Sequence, residues 1–283
     1  SAYFDVSGYN LDTGMRIYNQ VVWDPQDAGL VDIDSEGDLI MEEGSVIDVS
    51  GSSPVTLYRP SGARRLYASY LGAGNAGSVK LSFQNAVDEN GHSTLDSTYL
   101  ADKSLPNLTG GSFEINHTSN ENLLLTPDVL AGVMDGGFDH LTLKSVSNIQ
   151  FSGSQRISMD RGVVIDTPVI SSEALSRTTI QSPWIQLMNT ERSIDLVPSD
   201  PLSESEITLS GDFVDITGDI KFQGFKQVSL AAEQDMRLTD YKYDNSTKTY
   251  ENGQPRKWLG GISAEHDLSL TAARIYPTTN SFI

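Results

Sequence analysis

The acidic residues between positions 32 and 43 have the spacing of a calcium-binding loop. Five carboxylates and a glycine fall at or near the loop positions that supply oxygen ligands and the sharp turn. The candidate calcium ligands are Asp32, Asp34, Glu36, Asp38 and Glu43. Pro25 and Gly29 before this segment, and the β-rich run after it, do not suit the helices that flank such a loop. The segment also fits two strands joined by a polar corner, which is the interpretation that we favour, with a calcium-stabilised rod as an alternative.

Aspartates recur at two further places, as the pair Asp160 and Asp166 and as the trio Asp212, Asp215 and Asp219. Two or three carboxylates on one face can act as general acid and as base or nucleophile in polysaccharide cleavage. Aspartate is also common at turns, because its side chain accepts hydrogen bonds from nearby backbone N–H groups. We expect turn aspartates here, and a carbohydrate-active enzyme is the alternative.

Two segments combine aromatic side chains with positive charge or hydrogen-bonding groups. Residues 52–76 include no acidic residue, although the chain is acidic overall, and residues 240–258 are rich in tyrosine. The candidate binding residues are Tyr58, Arg59, Arg64, Arg65, Tyr67, Tyr70, Tyr241, Tyr243, Tyr250 and Trp258. Arginines beside aromatic rings suit anionic glycans or an acidic protein surface. The alternative is that both segments pack over a face or an end of the main structure.

Other signals of catalysis are weak in the sequence. The four histidines form no H-x-x-x-H pair, there is no cysteine, and neither a G-x-S-x-G motif nor a phosphate-binding glycine loop occurs. We therefore predict no enzymatic activity and, apart from the calcium alternative, no cofactor. Trp184 precedes the apolar pair Ile185 and Leu187 and is either a core residue, which we favour, or an exposed platform for a sugar ring.

Charge and hydropathy limit the partners of this 283-residue chain. Lys plus Arg number 19 against 38 Asp plus Glu, so the net charge is −19. Nucleic acids and anionic membranes attract positive charge, and we expect neither as a partner. No apolar run reaches the roughly 18 residues of a transmembrane helix, so we expect no membrane insertion. The strand-like start without a signal peptide predicts a monomeric fragment of a longer chain.

Short apolar–x–apolar triplets recur along most of the chain. They indicate the strands that must position the candidate metal-binding, catalytic and ligand-binding residues. Four of them begin 8, 8 and 6 residues apart: Leu141/Leu143, Ile149/Phe151, Ile157/Met159 and Val163/Ile165. Alternation over a few residues, broken by Ser, Asn, Gly and Asp, is typical of short strands with one buried face. Three such steps add up to about 20–22 residues, the length of one coil in a three-sided parallel β-helix.

Several segments interrupt this pattern. The predicted interruptions are excursions at 52–76 and 240–258, a polar insertion at 85–107 and one short helix at 127–135. For the helix, Thr126 is a suitable N-cap, Pro127 suits the first position and Asp128 favours the N-terminal dipole. Nine residues are too few for a stable isolated helix, so it must pack against the strands.

Four segments of the chain share their pattern with one known family. They are Gly44-Ser-Val-Ile-Asp-Val-Ser-Gly51, Gly74-Asn-Ala-Gly-Ser-Val79, the run Leu125-Thr-Pro-Asp-Val-Leu130 followed by Gly136-Gly-Phe-Asp-His-Leu-Thr-Leu143, and Asp267-Leu-Ser-Leu-Thr-Ala-Ala-Arg-Ile-Tyr-Pro-Thr-Thr279. In this order they resemble filamentous-haemagglutinin-like exoproteins of Gram-negative bacteria, over most of 37–279. The resemblance implies a right-handed parallel β-helix in a very large virulence protein, exported through an outer-membrane pore by two-partner secretion and used for adhesion.

We therefore expect an all-β, right-handed parallel β-helix (β-solenoid) that forms a single unit over 1–283, with two excursions and one short helix. The resemblance implies a non-catalytic, presenting segment of a secreted or cell-surface adhesin, whose loops contact a receptor or glycan on a host or neighbouring cell. Neither the family's N-terminal secretion domain nor the C-terminal toxin of some relatives is recognisable, which predicts an interior segment.

Overall fold

Short β-strands, paired mainly in parallel, make up most of this computed structural model. The structure describes residues 3–17, 19–61, 66–85, 95, 97–173, 175–190, 204–239, 250–251, 254–255 and 261–277. In chain order the elements are β1 (Tyr3–Asp5), β2 (Asn10–Ile17), β3 (Gln20–Pro25), β4 (Leu30–Asp34), β5 (Val46–Asp48), β6 (Val55–Ser61), β7 (Leu66–Gly72), β8 (Ser78–Phe83), β9 (Thr98–Leu100), β10 (Ser112–His117), β11 (Asn122–Leu125), α1 (Pro127–Asp135), β12 (His140–Ser145), β13 (Asn148–Phe151), β14 (Ser154–Ser158), β15 (Gly162–Asp166), β16 (Val169–Ser172), β17 (Arg177–Gln181), β18 (Trp184–Met188), β19 (Glu206–Thr217), β20 (Asp219–Gln223), β21 (Gln227–Thr239), β22 (Tyr250–Glu251), β23 (Gln254–Pro255), β24 (Gly261–Ala264) and β25 (Asp267–Pro277).

An eleven-stranded sheet, here called the long sheet, contains two rows of parallel strands. One row runs β4, β8, β10, β12, β15, β18 and the other begins β14, β17. The two rows join at β19, whose first part pairs with β17 and whose second part pairs with β18. β21 and β25 follow β19 in both rows, again in parallel. The confirmed prediction is therefore an all-β fold with parallel sheets.

Two smaller parallel sheets and three antiparallel pairs complete the described part of the fold. β11, β13, β16, β20 and β24 form a five-stranded sheet, and β1, β5 and β9 form a three-stranded one. The antiparallel pairs are β2 with β3, β6 with β7 and β22 with β23. Two of these pairs fall within the predicted excursions at 52–76 and 240–258.

Two segments differ from the sequence-based interpretation. The predicted parallel β-helix has no interruption within residues 1–51, but β2 and β3 pair with each other in an antiparallel hairpin. The polar insertion predicted at 85–107 contains β9, which pairs in parallel with β5. Alternation along a strand is the same in both kinds of pairing, so the sequence pattern could not distinguish them.

The core consists of apolar side chains that repeat at equivalent positions of neighbouring strands. Each of these residues is at most 8% exposed, and burial of all four triplets between Leu141 and Ile165 confirms that part of the prediction, whereas Leu268 on β25 is 37% exposed. On the long sheet they form two series, Val79, Phe113, Leu141, Val163, Ile185, Val214 and Met236, and Leu81, Ile115, Leu143, Ile165, Leu187, Ile216 and Leu238. Complete burial of such a side chain stabilises the fold by about 1.5–3 kcal/mol.

The helix α1 begins and ends as the sequence predicts. The Thr126 hydroxyl accepts a hydrogen bond from the backbone N–H of Val129, Pro127 occupies the first turn, and Gly136 caps the end. Val129, Leu130 and Val133 are buried in the common core. In the described part of the chain, no helix has the length and apolar character to span a bilayer.

Substitutions on the two sides of β15 test the assignment of its faces. Ile165 is fully buried in register between Leu143 and Leu187. Ile165→Ala should lower the free energy of unfolding by about 2–5 kcal/mol, because it leaves a cavity. Val164→Ala, on the outer side of the same strand, is the matched control and should cost about 1 kcal/mol or less. Urea unfolding followed by circular dichroism measures both, and equal losses would contradict the assignment.

Candidate ligand-binding groove

The outer side of the long sheet carries aromatic and charged side chains. Ile185 and Leu187 are fully buried, so alternation along β18 places Trp184 on the outer side, where it is half-buried. The expectation that Trp184 is a core residue is therefore wrong. Phe213 on β19 is in register with Trp184 and is also half-buried. The outer side thus exposes part of two aromatic rings on adjacent strands.

Trp184 is held in place by its neighbours on both sides. Its indole N–H donates a hydrogen bond of 2.9 Å to the Asp215 carboxylate. On the other side its ring stacks with that of His140, with centroids 6.1 Å apart and ring planes inclined by 27°. Gly162 lies between these two residues in the sheet, and a Cβ there would come within 2.5 Å of the His140 ring. The absence of a side chain at Gly162 therefore permits the stack, and burial lowers the pKa of His140.

Beyond Trp184, acidic and basic residues pair between adjacent strands. The Arg237 guanidinium donates two hydrogen bonds to Asp215 from the neighbouring strand, which raises the pKa of Arg237. Arg274 donates hydrogen bonds of 2.7 and 2.9 Å to Asp235. The hydrogen bonds from Arg274, more than any other contact, keep the pKa of Asp235 below its ordinary value, although desolvation opposes this. These carboxylates are occupied by arginine partners.

A second charge cluster surrounds Asp139, whose side chain is only 3% exposed. Asp139 accepts hydrogen bonds of 2.7 Å from both the Lys103 ammonium and the Gly110 backbone N–H, and Arg161 lies 3.3 Å away. Desolvation alone would raise the pKa of Asp139. The Gly110 and Lys103 hydrogen bonds outweigh it, so the pKa is lowered overall. Lys103 also binds the exposed Asp160 at 3.0 Å.

A groove of about 470 Å³ lies along the corner between the two rows of the long sheet. Residues 158–159, 181–183, 210–212 and 231–233 line it, so β14, β17, β19 and β21 each contribute a segment. At the centre, the Pro183 carbonyl accepts hydrogen bonds of 3.0 Å from the backbone N–H groups of both Asp212 and Phe213. A Cβ on Gly211 would approach the Ser182 carbonyl oxygen to 2.3 Å, so glycine permits this bend. The β19–β21 register shifts between Gly211 and Phe213, as is typical of a β-bulge.

Polar side chains in this corner groove lack the partners found elsewhere on the sheet. Within the described residues, neither Asp212 nor Glu233 forms an ion pair or a side-chain hydrogen bond. The Ser182 hydroxyl is buried and has no hydrogen-bond partner there. Pro183 is exposed and adds apolar surface beside them, whereas Met159 below it belongs to the core. The groove therefore combines apolar surface with free hydrogen-bonding groups, as small-molecule sites do.

The predicted catalytic aspartates lie in different settings. Asp212 lines the corner groove, Asp215 binds Arg237, and Asp219 begins β20 in the five-stranded sheet, where burial raises its pKa. Asp160 binds Lys103, whereas Asp166 accepts hydrogen bonds from the backbone N–H and hydroxyl of Thr190 and lies 3.8 Å from Lys144. Neither predicted set is assembled around one point.

The predicted calcium ligands lie on β4 and the segment after it. Asp32 is 4.0 Å from Lys80, and the Asp38 carboxylate accepts a hydrogen bond from Asn85. Asp34, Glu36 and Glu43 are exposed. Over the ranges that the structure describes, no group of three or more His, Asp or Glu side chains could hold a metal ion. Calcium binding at this loop stays a prediction without a formed ligand set.

The predicted binding residues fall only partly within the described structure. Tyr58 on β6 donates a hydrogen bond to Gln20 of the other hairpin, and Tyr70 on β7 is 44% exposed. Arg59 and Tyr67 lie in β6 and β7, and Tyr250 lies in β22. Arg64, Arg65, Tyr241, Tyr243 and Trp258 lie outside the described residues. Binding by these residues therefore stays a prediction.

Sequence reasoning did not identify Ser182, Glu233 or the Asp139 cluster. The sequence did contain a signal for the groove, because Asp212 and Glu233 each follow a small residue and are about one repeat period apart. The role of Asp139 depends on Lys103 and Arg161, which are distant in sequence and meet it only through strand register. Comparisons with protein-family models, curated proteins and solved structures found no match to this chain.

Asp139→Asn tests whether the buried carboxylate supports the fold. It should lower the free energy of unfolding at neutral pH by about 1.5–3 kcal/mol, the usual size for hydrogen bonds to a charged group. Since pairing lowers the pKa of Asp139 below its ordinary 3.8, its contribution is present above that value and disappears as the pH falls through the lowered one. The difference between the two proteins should therefore shrink below about pH 4.

Asp160→Asn is the matched control, because Asp160 binds the same lysine but is 76% exposed. It should cost about 1 kcal/mol or less. Urea unfolding at neutral and acidic pH measures both variants. Equal losses, or an Asp139→Asn loss that persists unchanged in acid, would contradict the assignment.

Proposed function

We propose that this chain is a non-catalytic, presenting segment of a secreted bacterial surface adhesin, built as a right-handed parallel β-helix. The observation that carries the proposal is the repeated parallel pairing of strands about one coil apart. The chain passes from β12 on the long sheet to β13 on the five-stranded sheet and back to β14, and then repeats this path through β15, β16 and β17. Paired residues such as Asp215 and Arg237 are 22 residues apart.

The charge pairs support a structural role for the outer side. A general acid needs a raised pKa, which comes from burial without a counter-charge. The pKa values of Asp139 and Asp235 are instead lowered, because basic side chains and backbone N–H groups bind them. Such pairs join neighbouring strands and suit a stiff scaffold. Adhesion as the purpose of that scaffold rests on the family resemblance.

A carbohydrate-active enzyme remains the second candidate. The corner groove places two carboxylates without partners among the described residues, Asp212 and Glu233, along one concave surface. Glycosidases use two carboxylates across a sugar-binding cleft. A calcium-stabilised rod has less support, since no set of three ligands is formed in the described ranges.

Deletion of one whole coil tests the proposed β-helix. Removal of residues 162–183 joins Arg161 to Trp184, which is the register partner of Gly162, and so preserves the alignment of the remaining strands. Because repeat proteins tolerate the loss of whole units, the shortened chain should fold and unfold cooperatively with an unchanged type of circular dichroism spectrum. Deletion of 162–172 alone is the control and should abolish folding. Equal behaviour of the two deletions would contradict a coil of this length.

Adhesion is tested with beads coated with the purified chain. Coated beads should bind to epithelial cells or to other bacteria several-fold more than beads coated with the unfolded variant Ile165→Asp, which introduces an unpaired charge into the core. Binding no greater than that control would contradict an adhesive role. Release of soluble sugars from polysaccharides by the wild-type chain would support the enzyme instead.

A further inference from the structure

The corner groove runs across the strands, because four successive strands each contribute one segment to it. Adjacent strands are spaced by about 4.8 Å, so four segments extend over on the order of 14 Å. The volume of about 470 Å³ lies within the usual range for ligand sites. The groove therefore suits a short linear ligand that lies parallel to the direction of strand stacking.

The backbone of the groove is already hydrogen-bonded. Met159 N–H donates to the Gln181 carbonyl at 3.0 Å, and Ser182 N–H donates to the Ser210 carbonyl at 3.2 Å. Extended peptides bind sheets by pairing with free backbone groups at an edge. Because these backbone groups are paired within the sheet, the groove gives a peptide strand little to bind.

Two carboxylates of the groove remain available to a ligand. Asp212 is partly exposed and Glu233 is exposed, and neither has an ion-pair or side-chain hydrogen-bond partner among the described residues. The Ser182 hydroxyl is closed to solvent and offers no hydrogen bond to a ligand. The carboxylates of Asp215 and Asp235, in contrast, are occupied by arginines.

This combination selects the chemistry of the ligand. Sugars present apolar C–H faces and a rim of hydroxyl donors, which match the exposed Pro183 ring and the free carboxylates respectively. Two unpaired carboxylates in a chain of net charge −19 repel sulfated or carboxylated glycans. A single metal ion is not favoured, because the described residues form no group of three ligands.

We propose that the corner groove binds a neutral oligosaccharide of about two or three rings, through the Asp212 and Glu233 carboxylates and the exposed ring of Pro183. This site gives the proposed adhesin a specific ligand class, and in that respect it rests on the proposed function. It also differs from the predicted Arg/Tyr segment 52–76, which would suit anionic glycans.

The test is isothermal titration of the full chain with neutral oligosaccharides derived from cellulose, chitin and starch, with heparin oligosaccharides and oligolysine as comparison probes. At least one neutral oligosaccharide should bind the wild-type chain. Ser158→Trp fills the groove from an exposed position and should weaken binding by about tenfold or more. The double variant Asp212→Asn/Glu233→Gln should weaken it similarly. Thr208→Trp, at an exposed position of β19 outside the groove, is the matched control and should bind like the wild type.

Binding of only heparin or only oligolysine, or equal neutral-glycan affinity in the wild type and Ser158→Trp, would overturn the proposal. Thermal unfolding measures whether each variant folds. If Ser158→Trp does not fold, the comparison of the wild type with Asp212→Asn/Glu233→Gln still tests the proposal. The bead assay separates the two proposals. Adhesion that persists in Ser158→Trp, with no neutral glycan bound by the wild type, overturns the groove site alone. Groove-dependent glycan binding without cell adhesion overturns the adhesin function alone.

Discussion

In-register parallel hydrogen bonding between strands, which lie about 22 residues apart along β12, β15 and β18, is the interaction on which the rest of this structure depends. It places side chains from equivalent positions directly beside one another, at about the 4.8 Å spacing of paired strands. Every column of side chains must therefore consist of residues that tolerate such close neighbours. Leu143, Ile165 and Leu187 satisfy this requirement on the inner side, where they form one apolar series.

The same constraint determines the outer side. Like charges directly opposite one another destabilise a sheet, whereas opposite charges stabilise it. The chain has twice as many acidic as basic residues, so its arginines and lysines have to be placed selectively. Arg237 follows Asp215 in one column and Arg274 follows Asp235 in the next, and each pair crosses between adjacent strands. The charged side chains of these columns therefore form ion pairs between neighbouring strands, and these pairs stabilise the sheet.

The corners are less constrained than the columns. At Gly211 the backbone bends and the register shifts, so the side chains at this bulge are not held by regular pairing. Asp212 and Glu233 can therefore remain without partners in the described structure, whereas Asp215 and Asp235 farther along the same strands bind arginines. In the proposed β-helix, the flat sheets provide stiffness, whereas the corners and hairpins carry side chains that are free to bind a ligand. The proposed glycan site lies at such a corner.

Local features of the sequence predicted the strands and the helix. Apolar alternation marks the buried face of the central strands, and the Thr126 cap and Gly136 mark the ends of α1 without reference to other elements. The outward position of Trp184 was also predictable, since it alternates with the buried Ile185. Our preference for a core position overlooked that alternation.

The tertiary structure alone decided which strands pair and which side chains meet. The antiparallel β2–β3 hairpin shows the same alternation as a parallel pair, so the distinction depends on where the chain turns. The meeting of Asp139 with Lys103 and Arg161, and the opening of the groove at Gly211, depend on register between segments distant in sequence. The sequence by itself determined which face of each central strand is buried, because that face follows from the local period, whereas Leu268 and Ile275 on the edge strand β25 are exposed. Tertiary pairing determined the groove and the charge pairs, because a shift in register changes every outer neighbour.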